Sequence, residues 1–127
     1  MPKISREGAS TKHEAPGYEG RFEDLGGYTV AFETYSENAD LAPLFAGLPD
    51  DRCQCPHWGV VLKGKVTYRY AEGEETIEAG EAYFARPGHT PVLHAGTELV
   101  EFSPSAELER TIDVVLRNAA AMTEGTP

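Results

Sequence analysis

Basic side chains are scarce in this sequence. Eleven lysines and arginines stand against 21 aspartates and glutamates, a formal charge of −10 over 127 residues. That balance argues against nucleic acid and against an anionic membrane surface, because both call for Lys and Arg concentrated on one face. Long apolar runs are missing too. No stretch approaches the roughly 20 residues of a spanning helix, and the opening Met1-Pro2-Lys3-Ile4 segment lacks the apolar core of a secretory signal. A cytoplasmic protein is the expectation. Cysteine is limited to Cys53 and Cys55, one residue apart. Such a pair closes only a small, strained ring, so reduced thiols are expected rather than a disulfide framework. At 13.8 kDa the chain holds one domain with room for a real core.

What the sequence has is turns and short strands. Residues 1–24 are polar, punctuated by glycine and proline and without period, which reads as a partly flexible N-terminal arm. From Tyr28 the pattern alternates, with Tyr28, Val30 and Phe32 against Thr29, Ala31 and Glu33. Period two with β-branched and aromatic residues predicts a half-buried strand. Leu41–Leu48 is apolar but broken by Pro43 and Gly47, as a short helical turn or packed loop would be. Further short strands are predicted around Val60–Leu62, Val66–Tyr70, Thr76–Glu78 and Ala82–Ala85. Val92–His94 and Leu99–Phe102 read as a last pair around Ala95-Gly96. Strands this close together, each followed by a turn signal, point to a sandwich or barrel. Ser103-Pro104 then reads as a helix start. Leu108, Ile112, Val115, Leu116, Ala119 and Met122 recur at helical spacing, which predicts about four amphipathic turns ended by Gly125 and Pro127.

Two segments carry a resemblance. Val60-Val61-Leu62-Lys63-Gly64-Lys65-Val66 is similar to the end of the first cupin motif. Ile77-Glu78-Ala79-Gly80-Glu81-Ala82-Tyr83-Phe84, followed by Arg86-Pro87-Gly88-His89-Thr90-Pro91, is similar to the second. The resemblance implies an all-β, double-stranded β-helix (jelly-roll) barrel over residues 25–104. The arm of residues 1–24 precedes it, and a C-terminal α-helix and tail over 105–127 follow. It also implies a homodimer, since members of the family commonly pair.

The family's metal ligands do not survive in place. Aligned on Gly64, the family's glutamate position holds His57, and its two histidine positions hold Cys53 and Asp51. Aligned on Gly80 and Gly88, the second motif's histidine position holds Pro91 and its asparagine position Ala95. A substitute set is at hand. Cys53, Cys55 and His57 are spaced by two, so an extended segment points all three to one face. His89 lies two residues from the family's histidine position. Two thiols and two imidazoles form a soft donor set that suits zinc, copper or iron. The same thiols are equally readable as core packing or as a reactive pair. Glu101 and His94 are the candidates for a general base, with an exposed strand position as the plain alternative for each.

Three functions follow as expectations: a metal-dependent enzyme of isomerase or dioxygenase type acting on a small organic molecule inside the barrel, a non-catalytic small-ligand or sensor module without metal, and a thiol redox protein.

Overall fold

Strand-forming segments in this chain are short because a glycine in the left-handed region ends most of them. Gly17, Gly64, Gly80 and Gly96 all have positive φ at the turns between strands. The computed structural model describes residues 3–124, with side chains to residue 122. The expected helix stop at Gly125 and Pro127 lies outside the described residues.

Ten strands are formed: β1 (Thr11–Ala15), β2 (Tyr18–Leu25), β3 (Tyr28–Tyr35), β4 (Ala39–Asp40), β5 (His57–Lys63), β6 (Lys65–Tyr70), β7 (Gly73–Glu78), β8 (Ala82–Ala85), β9 (Thr90–Leu93) and β10 (Thr97–Pro104). Two short 3-10 turns, Ala42–Phe45 and Pro49–Asp51, separate β4 from β5, and α1 (Ser105–Glu124) closes the chain. The strands make two antiparallel sheets, one ordered β1-β2-β3-β10-β5-β8 and the other β4-β9-β6-β7. Between them lies a core of Val61, Val66, Tyr68, Leu93 and Leu99 with their neighbours. A second cluster joins Phe45, Cys53, Cys55 and Leu108, so α1 seals one end of the sandwich.

Four expectations are corrected. The segment read as a loose arm contains β1 and β2, a hairpin paired in register with β3 from Tyr18↔Tyr35 to Leu25↔Tyr28. Its charges, such as Lys12 and Glu14, hid the strand, yet charged edges are what keep such a strand from pairing with other chains. Val92–His94 and Leu99–Phe102 do not pair: β9 sits between β4 and β6, whereas β10 sits between β3 and β5. The Ala95-Gly96 turn carries the chain from one sheet to the other. Ser103 is not a helix cap but a buried residue of β10, and α1 starts at Ser105 and runs for 20 residues. Finally, β3 buries its more polar side in the interior. Glu101↔Ala31 and Leu99↔Glu33 are paired and share an inward face with Tyr35, while Tyr28 and Phe32 face outward. The outer face of this sheet therefore exposes Tyr28, Trp58, Leu62, Phe84 and Phe102.

Candidate metal centre and cavity

Two loops bring the donors together. Cys53 N–H donates to the His89 carbonyl at 2.8 Å, and Gly88 N–H and His89 N–H donate to the Cys53 carbonyl at 2.8 and 3.2 Å. This backbone bridge sets Cys53 beside His89, and His57 enters from the first residue of β5. The ligand atoms of Cys53, His57 and His89 all lie within 4.8 Å of one another. Cys53 Sγ is 3.5 Å from His57 Nε2, and the two imidazole centroids are 4.9 Å apart.

Each imidazole is oriented by the nitrogen that faces away from the cluster. His89 Nδ1 lies 2.6 Å from the Arg86 carbonyl. A carbonyl only accepts, so the proton is on Nδ1 and the lone pair of Nε2 is free for a cation. His57 Nδ1 lies 2.7 Å from Ser103 Oγ, with Glu101 Oε2 at 3.6 Å. The longer distance is an electrostatic contact rather than a hydrogen bond, and it favours the proton on Nδ1. His57 Nε2 is then left to face the Cys53 thiol.

Burial sets the electrostatics. His89 is 1% exposed. That burial, with His57 beside it, pulls its pKa down to about 4, which keeps the ring neutral and ligand-ready. Burial pushes the Cys53 and Cys55 thiols up to about 12. Both are therefore uncharged thiols as the chain stands, and the redox reading loses its depressed thiol. A bound cation reverses that preference, because its own charge favours the thiolate.

Glu101 is buried beside these donors. Its Oε1 accepts from the hydroxyls of Tyr83 at 2.6 Å and Tyr68 at 2.9 Å. Gly59 makes this possible. It pairs with both Tyr83 and Glu101, and a Cβ there would lie 2.6 Å from Tyr83 Oη and 2.6 Å from the Val100 carbonyl. Glu33 is arranged alike, opposite Gly20 on β2, with Tyr18 Oη donating to its Oε2 at 2.6 Å. Burial, with Glu101 nearby, holds the Glu33 carboxyl well above the usual carboxylate range.

These groups wall a cavity of about 300 Å³. Cys53, His57, His89, Glu33 and Glu101 supply its polar side, and Leu41, Phe45, Leu108, Ile112 and Val115 an apolar side under α1. The sequence candidates divide accordingly. Cys53, His57, His89 and Glu101 are brought together. Cys55 falls outside the donor group: residues 54–56 are not a strand, and its Sγ turns to the Pro56 carbonyl among the apolar residues under α1. His94 lies away from the cavity, and its carbonyl accepts from Thr97. Sequence reasoning missed Glu33 and Tyr18 and misread Ser103. The one available clue was a glycine facing each acid, visible only once strand register is known.

No protein-family model matches the sequence, and neither does any curated protein. Comparison with solved structures is more informative. A protein of unknown function from Rhizobium leguminosarum is 18% identical with a TM-score of 0.57, over 81% of this chain and 94% of that one. A putative ethanolamine utilization protein Q from Salmonella typhimurium is 10% identical with a TM-score of 0.52, over 73% of this chain and 78% of that one. An oxalate decarboxylase variant from B. subtilis is 12% identical with a TM-score of 0.52, over 80% of this chain but 28% of that one. Oxalate decarboxylase and ethanolamine utilization protein Q are cupins. The chain has the cupin fold. At these identities the likeness carries the jelly roll and not an activity. Among the described residues no helix is long and apolar enough to cross a membrane.

Proposed function

We propose that this cupin-fold chain holds one divalent transition metal ion, zinc in the first instance, on Cys53, His57 and His89, and takes a small organic molecule into the adjoining cavity. The observation that carries the reading is the convergence of three buried donors, each with a ligand atom within 4.8 Å of the others, on a cavity wall. The donors fit such an ion. One thiol and two imidazoles with fixed tautomers are a borderline-soft set, and three protein ligands leave a position open, as active rather than structural zinc sites do.

When bound, the ion supplies Lewis acidity to a polar group of the guest. The chain's own residues do the rest. Ser103 and Glu101 hold His57 in its ligating tautomer. Glu101 is also the carboxylate placed to accept a proton from the guest, with Tyr68 and Tyr83 stabilising its charge. That arrangement favours proton-shuffling isomerisation over dioxygen chemistry. A second reading, a binding module without catalysis, draws support from the missing family ligands. Neither His94 nor Cys55 has a part in either. The partner expected on the outer sheet face is a second copy of the chain.

Metal analysis by mass spectrometry, on protein purified without chelator, tests this. The wild-type chain and Cys55→Ser should each carry about one ion, while Cys53→Ser and His57→Ala should carry almost none. A metal-free wild type after reconstitution with zinc would refute the reading.

A further inference from the structure

The metal donors and Glu101 take up one part of the cavity's polar wall. Glu33 lies elsewhere on that wall and has no part in holding an ion. It comes from β3, two residues from Tyr35, and its carboxylate accepts from Tyr18 across Gly20. The Tyr18 and Tyr35 rings stand 4.9 Å apart, tilted 48° to each other, and both line the cavity.

We propose that Glu33, walled by the Tyr18 and Tyr35 rings, seats the ammonium group of a small primary amine whose apolar body extends under α1. The proposal rests on the small-molecule cavity inferred above and specifies its guest. No lysine or arginine lines the cavity among the described residues, whereas Glu33, Glu37 and Glu101 all do. A carboxylate or phosphate guest would thus meet acids with no side-chain counter-charge. Aromatic faces beside a carboxylate are the general chemistry of ammonium recognition, through ring quadrupole and ion pair together. The apolar side, with Phe45, Leu108, Ile112 and Val115, suits a hydrocarbon body. Burial already disfavours the charged form of Glu33, a cost that an arriving ammonium relieves.

Titration calorimetry with hexylammonium, hexan-1-ol and hexanoate, on zinc-loaded and on chelator-treated protein, tests the assignment. Hexylammonium should bind about tenfold or more tightly than either of the others in both forms. Glu33→Gln should reduce it to the level of hexan-1-ol with zinc content unchanged. Should that variant not fold, the ranking in the wild type still decides, together with side-chain NMR shifts of Tyr18 and Tyr35. Equal or tighter binding of hexanol or hexanoate overturns the amine assignment but leaves the cavity reading standing. A preference seen only with zinc bound is amine on metal and overturns it as well. If no probe binds, both readings fall. An amine preference in protein that holds no zinc supports this assignment while removing the metal.

Discussion

Burial of His89 against His57 has a consequence in acid. Its folded pKa of about 4 lies below the ordinary 6.5, so between those values the unfolded chain binds a proton that the folded chain refuses. The His89 contribution to stability of the metal-free protein should be fully present above about pH 6.5 and fall as pH drops toward 4, by about 3 kcal/mol in all. Glu33, held above the ordinary carboxylate range, acts in the opposite sense over the same interval. Urea midpoints of chelator-treated wild type are therefore compared with those of His89→Gln, and a difference between the two that does not change with pH would contradict the burial argument. Ser103 acts on the other imidazole. Ser103→Ala removes the 2.7 Å partner of His57 Nδ1 and should weaken zinc binding about 10- to 100-fold while leaving the stoichiometry at saturation unchanged, as competition with a chromogenic chelator would show. At this scale the sequence was half legible. Cys53, His57 and His89 stood out by residue type and by their place in the resembling motifs. Glu33 did not, because alternation assigns a polar residue to solvent, and only pairing with Leu99 across β10 turns it inward.

Elements position these side chains through gaps as much as through contacts. Gly59 on β5 is the clearest case, since its missing side chain lets Tyr83 reach Glu101. Gly59→Ala would place a methyl 2.6 Å from the Val100 carbonyl, which is backbone and cannot swing aside. A loss of roughly 1–3 kcal/mol is expected, with Tyr83 displaced from the carboxylate. Thermal unfolding and the Tyr83 ring NMR signals read the two effects separately. The central and C-terminal strands and α1 were legible because apolar period and glycine turns agree there. The β1–β2 hairpin was not, since it pairs through backbone groups that side-chain pattern does not report. Nor was the crossing at Ala95-Gly96, because a turn residue signals reversal without saying which sheet receives the next strand.

For the molecule as a whole, the outward side of the larger sheet is the unusual surface. Trp58 stacks on Phe84 with centroids 5.1 Å apart, and Tyr28 meets Trp58 edge-on. These rings and Phe102 are each at least 40% exposed. An apolar patch on a chain that otherwise carries −10 is the expected place for a partner, and in the proposed dimer a second copy would supply an identical patch related by a two-fold axis. Light scattering after gel filtration should give twice the chain mass for the wild type, and Trp58→Glu should bring it to the single-chain mass with zinc content unchanged. A monomeric wild type would sink the dimer. The jelly roll was legible from strand spacing and the Gly64, Gly80 and Gly88 turns. The cavity's contents were not, because they depend on which side of each strand the pairing turns inward.

The bridge between Cys53 and His89 is made entirely of main-chain groups. The pairing of those two positions is therefore set directly by main-chain groups, with the His89 side chain adding its bond to the Arg86 carbonyl. They behave as a socket, and its fitting can be exchanged without rebuilding the mount. If the proposed metal site holds, replacing Cys53 with histidine, or His89 with cysteine, should shift it toward harder or softer ions along one scaffold, and metal preference would then be separable from the fold that carries it.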